Sequence, residues 1–130
     1  MSTSRRGLAA TVAGLALASV PACALDLKPF EDATFHAAQA AGKAILIDVS
    51  ASWCPICKVQ RPILSELLTK HPMEGYLAFE LDYDSRKDVL RRLKVYQPGT
   101  LVIFRGKSEK GRATDQTNGA VIDALLRRAL

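Results

Sequence analysis

Ala44-Ile45-Leu46-Ile47-Asp48-Val49-Ser50-Ala51-Ser52-Trp53-Cys54-Pro55-Ile56-Cys57-Lys58 is the stretch on which the fold turns. Its first half, Ala44 to Ser50, is apolar at nearly every position, the pattern of a strand covered on both faces. From Cys54 the spacing changes. Ile56, Val59, Ile63, Leu64, Leu67 and Leu68 recur at helical intervals and predict a helix from Cys54 to about Lys70 with one apolar face. Cys57 falls on the side shared with Leu64 and Leu68 and is expected to point inward. A buried strand thus delivers two thiols, three positions apart, to the start of a helix.

The pattern continues in both directions. Glu31 to Ala41 reads as a helix closed by Gly42. Tyr76 to Asp82 reads as a strand. Ser85 is expected to cap the next helix, with Asp88 as its box partner and Val89, Leu90 and Leu93 as its buried face. Thr100 to Phe104 is a strand, Arg105 to Lys110 a charged turn, and Gly111 to Thr114 a short polar strand. A last helix from about Asn118 to Ala129 buries Val121, Ile122, Leu125 and Leu126. The order (β)αβαβαββα implies an α/β fold: one domain, with a mixed central β-sheet and helices on both faces.

The 130 residues, 48% of them hydrophobic, suffice for one globular core without disulfide staples. The first 24 are a different kind of sequence. Arg5-Arg6 precedes an uncharged apolar run from Gly7 to Val20, and Ala22-Cys23-Ala24 fits a small-x-small cleavage site. The run is shorter than the ~20 residues of a membrane span. Residues 1–24 are therefore expected to be a signal peptide, with residues 25–130 as the exported, periplasmic domain. Val20-Pro21-Ala22-Cys23 also resembles a lipoprotein cut, which would leave Cys23 lipidated. Removing Arg5 and Arg6 from 18 basic residues leaves 16 against 13 acidic, a net +3. That is too weak and too scattered for a nucleic-acid partner. Cleavage after Ala24 leaves Cys54 and Cys57 as the only cysteines, and one close pair in an exported chain reads as a redox couple.

The chemistry follows from position. The thiolate is the nucleophile in thiol–disulfide exchange, and free N–H groups at a helix start favour negative charge. Cys54 is expected to be exposed and acidified, with Cys57 buried one turn in. Cys54 would attack a substrate disulfide and Cys57 would resolve the mixed disulfide. Pro55 is tolerated because first-turn N–H groups have no intrahelical partner to lose.

Strand-Asp48-x4-Trp53-Cys54-x-x-Cys57-Lys58-x3-Pro62 resembles the core signature of the thioredoxin family, and Thr100-Leu101-Val102-Ile103-Phe104 resembles its later strand. The similarity covers essentially the whole of residues 25–130. It implies a thioredoxin fold, no cofactor and no metal, with Cys54 attacking and Cys57 resolving. Asp48 matches the buried carboxylate beneath the pair, its pKa raised by burial so that it exchanges a proton with Cys57. Trp53 matches the flanking aromatic residue, and Pro62 the residue that bends the helix. The bland alternatives are a backbone-satisfied strand-end residue for Asp48 and simple packing for Trp53. With Trp53, Pro55, Ile56, Pro98, Gly99 and Thr100 as the substrate-facing set, the resemblance implies a monomer acting on disulfides of exported proteins. In an oxidising compartment it would draw electrons from a membrane thiol–disulfide donor.

Three departures from the family pattern matter. The proline usual before the third-strand threonine is replaced by Gly99, with Pro98 one step earlier. Gly99 lets another backbone approach closely but holds the loop less rigidly. Glu80 stands where a lysine is common, so with no cation there Asp48 is expected to be harder to ionise. The Pro55-Ile56 dipeptide offers the Cys54 thiolate no charge and no hydrogen bond, which favours a reductant over an oxidant. A different class of function uses the same pair: binding or delivery of Cu(I) or Zn. Against it, only His36 and His71 remain as further soft ligands, neither at a ligand spacing from the cysteines.

Overall fold

The computed structural model of the protein describes Gly14, residues 27–70 and residues 72–130. The expected leader, its cleavage site with Cys23, and His71 lie outside the described residues.

Among the described residues, five strands and four helices follow in order: β1 (Lys28–Pro29), α1 (Asp32–Ala40), β2 (Ala44–Ser50), α2 (Pro55–Leu68), β3 (Leu77–Asp82), α3 (Lys87–Leu93), β4 (Thr100–Arg105), β5 (Ser108–Thr114) and α4 (Gly119–Arg127). The sheet order is β1-β3-β2-β4-β5. β1, β3 and β2 run parallel, while β4 pairs antiparallel with β2 and with β5. The mixed sheet expected from the element order is the one observed.

β2 is central and every residue in it is buried. Alternation sends its side chains to two cores. Ile45, Ile47 and Val49 join Phe35 and Ala38 of α1 and Val89 and Leu90 of α3. There Phe30, Phe35, Phe79 and Phe104 pack with ring centroids 5.3–6.2 Å apart. Ala44 and Leu46 join Leu64, Leu67 and Leu68 of α2 and Ile122, Leu125 and Leu126 of α4. Tyr76 donates its hydroxyl to the Leu126 carbonyl at 2.8 Å, tying α4 to the start of β3. Asp48 has the parity of Ala44 and Leu46, so it faces α2.

Four local expectations are corrected. Val59 and Val121 are 49% and 46% exposed, not core. At about 100° per residue Val59 stands roughly 200° round from Cys57, and Gln60 takes the inward position instead. Arg86, not Ser85, occupies the N-cap of α3 and caps with no side chain. Ser85 turns its N–H and hydroxyl back to the Asp82 carboxylate, and Asp88 pairs with Arg86 at 3.4 Å. Leu93 is only half-buried, because α3 ends one residue later at left-handed Lys94 (φ 54°). The charged turn is confined to Gly106-Lys107, and β5 begins at Ser108. Antiparallel pairing to β4 satisfies this polar strand's backbone, with a register shift that leaves Lys110 as an extra residue between Gly111 and Glu109.

Candidate active site

Cys54 is the N-cap of α2, in extended conformation (φ −84°, ψ 109°), and Pro55 opens the helix. The Cys54 N–H is held by the Ala51 carbonyl at 3.1 Å. The Cys57 N–H donates to Cys54 Sγ at 3.2 Å, so one orphan donor of the first turn is aimed at that sulfur. The two cysteines are joined as a disulfide, their Cα atoms 5.4 Å apart. Cys57 Sγ lies 4.0 Å from the Val49 carbonyl, within reach of a thiol proton once the pair is reduced.

The expected contrast in exposure is absent: Cys54 is 4% and Cys57 6% exposed. Ala51, Ile56 and Tyr83 close around both. What distinguishes the sulfurs is their place at the helix start, with Cys54 at the cap and Cys57 inside the first turn.

Asp48 is 1% exposed, and its Oδ1 has no hydrogen-bond partner among the described residues. No backbone donor among the described residues reaches that oxygen. Burial drives the Asp48 pKa up to about 7; the Arg61 charge opposes the rise and the Glu80 charge adds to it. Glu80 stands beside Asp48 in the parallel register of β2 and β3. Ser50 Oγ donates to Glu80 Oε1 at 2.9 Å, and Arg61 Nη2 reaches the same oxygen at 2.6 Å. Asp48 is harder to ionise, as expected with Glu80 in place of a lysine, although a cation does act on it from elsewhere. Arg61, one helical turn beyond Cys57 on α2, supplies it from a different element, which no spacing along β3 could reveal. A cleft of about 540 Å³, lined by Ser50, Cys57, Lys58, Arg61 and Glu80 among others, opens on the Cys57 side of the pair.

Trp53 is 59% exposed. Its Nε1 donates to Asp84 Oδ2 at 3.0 Å, and its ring meets Tyr83 edge-on at 6.3 Å. It is a surface platform braced on one side, not core packing. Pro55 is exposed and Ile56 half-buried beside it. On the facing loop, Gly99 lies against Ile56, the residue before Cys57. Its N–H donates to the Val49 carbonyl at 2.8 Å, and a Cβ built on it would lie 3.3 Å from Ile56 Cγ2. Its φ of +77° is one that glycine adopts without strain. Pro98 is half-buried, and Thr100 faces away into bonds with the Gln97 carbonyl and Thr114.

Gln60 is the site residue that the helical pattern hides. It is fully buried, and its Nε2 donates to the Gly99 carbonyl at 3.1 Å and the Gln116 carbonyl at 2.8 Å. A polar residue at an inward helical position is the signal that would have found it. His36 lies on the surface of α1, 3.3 Å from Gln39. Among the described residues no group of three or more His, Cys, Asp or Glu side chains could hold a metal ion.

A disulfide closed across the first turn of a helix that leaves the centre of a mixed sheet defines a thiol–disulfide oxidoreductase with a redox-active cysteine pair. Comparison with known proteins agrees. The Thioredoxin family model matches residues 26–128. Thioredoxin H-type from Fagopyrum esculentum is 37% identical over 94 residues, covering 72% of this chain and 76% of that protein. Thioredoxin from Mycobacterium tuberculosis is 32% identical over 88 residues, covering 68% and 72%. Among solved structures, Trxlp from Edwardsiella tarda superposes with a TM-score of 0.75 at 33% identity, over 78% of this chain and 98% of its own. This chain belongs to the thioredoxin family.

Proposed function

We propose that this protein is an exported disulfide reductase in which Cys54 attacks and Cys57 resolves. In the reduced protein the Cys54 thiolate attacks one sulfur of a substrate disulfide. A Cys54–substrate disulfide forms and the other substrate sulfur leaves as a thiolate. The Cys57 thiolate then attacks Cys54 Sγ, expelling the second substrate sulfur. The substrate gains two electrons, and the protein is left with the Cys54–Cys57 disulfide. Asp48 takes up the proton that Cys57 must lose, which requires a carboxyl titrating near neutrality rather than near pH 4. The observation that supports this reading most is the N–H of Cys57 aimed at Cys54 Sγ, because the same donor stabilises a thiolate there.

The substrates on this reading are disulfide-bearing exported proteins, and the reducing equivalents come from a membrane-bound dithiol. The basic start, apolar run and Ala22-Cys23-Ala24 motif support export with cleavage after Ala24. Mass spectrometry of the mature N-terminus reads this directly, as free Leu25 or a lipid on Cys23. The catalytic assignment is tested by insulin disulfide reduction with dithiothreitol. Cys54→Ser is expected to abolish the acceleration, and equal rates in the two proteins reject the role of Cys54. An equilibrium potential near about −270 mV supports a reductant, and one near about −120 mV an oxidant.

A further inference from the structure

Asp115 is a non-glycine residue at φ +57°, immediately after β5. Its N–H donates to the Gly99 carbonyl at 3.0 Å, so its backbone is fixed to the loop that faces the cysteines. Its Oδ2 accepts from Gln97 Nε2 at 3.0 Å, which orients the carboxylate. Oδ1 makes no hydrogen bond among the described residues and is directed at Gly99, 3.2 Å from where a Cβ would stand. Ile56 closes the other side of the same gap at 3.3 Å. The result is a notch with a glycine floor, one carboxylate wall and one wall from the dipeptide between the cysteines. A side chain at position 99 would fill it, and most residues at position 115 would be strained at that φ.

The notch lies beside the cysteine pair, one carbonyl away from the resolving sulfur. Gly99 N–H is bonded to the Val49 carbonyl at 2.8 Å, and that carbonyl is 4.0 Å from Cys57 Sγ. Gln60 holds the floor in place from α2 and also clamps the Gln116 carbonyl, one residue after Asp115. Asp115 is exposed. Two cations, Lys94 and Arg112, line the same surface cleft as Asp115; Arg112 is engaged by Glu109 and by the carbonyls of Leu93 (2.9 Å) and Lys94 (3.0 Å). On the opposite flank of the pair, the Asp84 carboxylate is occupied by the Trp53 indole.

We propose that Asp115 is a specificity-determining residue that favours substrate polypeptides carrying a lysine or arginine next to the cysteine to be reduced. This rests on the disulfide-reductase reading. A segment whose sulfur meets Cys54 crosses Ile56 and Gly99, and the side chain flanking its cysteine drops toward Asp115 Oδ1.

The test uses the reduced protein in single turnover against three peptide disulfides that differ only in the flanking residue: Lys, Gln or Glu. At low ionic strength the Lys peptide is expected to react roughly three- to tenfold faster than the Glu peptide, because the one gains and the other loses a contact on the scale of an exposed charge pair. The ratio should shrink in high salt. In Asp115→Asn it should fall to within about twofold, with the Gln peptide unchanged. Asparagine keeps both the left-handed backbone and the bond from Gln97, and Asp115→Gly, which removes the strain as well, is expected to behave alike. A Lys-to-Glu ratio that is near one in the parent protein, or undiminished in both variants, overturns the proposal. Failure of the Gln peptide to be reduced by the parent protein would instead strike at the reductase reading itself.

Discussion

The Asp48→Asn variant is expected to gain stability relative to the parent as the pH rises above acid values. In the folded protein the Asp48 carboxyl titrates at about 7, because burial disfavours its charge. In the unfolded chain it titrates near ~3.9. A raised carboxylate pKa means that the folded state holds its proton longer. The destabilisation is therefore absent below pH ~4, accumulates between the two values, and is constant above about 7. At ~1.36 kcal/mol per tenfold difference in proton affinity, the full effect is on the order of 4 kcal/mol, with roughly half present at pH ~5.5. Asparagine cannot ionise, so its own cost of burial, whatever its size, is independent of pH. Urea unfolding of the oxidised parent and of Asp48→Asn, from pH 4 to pH 8.5, measures the difference. The variant should gain several kcal/mol on the parent across that range while losing activity. A difference flat with pH, or a variant less favoured at pH 8 than at pH 4, would refute the claim that Asp48 is held in a site that resists its charge.

Other outcomes follow from the same geometry. Cys57→Ser should accumulate a covalent adduct between Cys54 and a disulfide substrate, visible by intact mass, since nothing is left in the first turn to resolve it. Arg61→Met should raise the Asp48 titration midpoint and Glu80→Gln should lower it, as followed by carboxyl NMR; shifts in the same direction would sink the assignment of opposite electrostatic roles. Gly99→Ala combines a left-handed φ with two close contacts and should cost roughly 1–2 kcal/mol in chemical denaturation. Tyr76→Phe should cost about 1 kcal/mol by the same assay through loss of the buried bond to Leu126.

The parts of the fold that were legible in the sequence are those set by strong local patterning. The uninterrupted apolar run of β2, the helical spacing of Leu64, Leu67 and Leu68, and the cysteines at the junction fix the centre of the site before any tertiary contact is known. The parts that were not legible depend on partners distant in the chain. Ser85 has the composition of a helix cap, yet Asp82 competes for its hydroxyl and wins. Arg61 draws no reading from the sequence, and only the adjacency of β2 and β3 brings it to Glu80 and under the influence of Asp48. Val59 and Gln60 exchange the roles that hydrophobicity alone suggests, because the inward position meets two loop carbonyls instead of a greasy surface. Asp115 carries no motif at all. Its meaning comes from a backbone angle and from Gly99 beside it.

The rims of the sheet have a consequence for life at high concentration. One rim is β1, only two residues long; the other is β5, which carries Glu109, Lys110 and Arg112 and is kinked by the extra residue at Lys110. A short ribbon on one side and a charged, bent one on the other give a foreign strand little to zip onto. A thiol–disulfide oxidoreductase built this way can meet disulfide-bearing proteins through its cysteine face without offering them a sheet edge to extend.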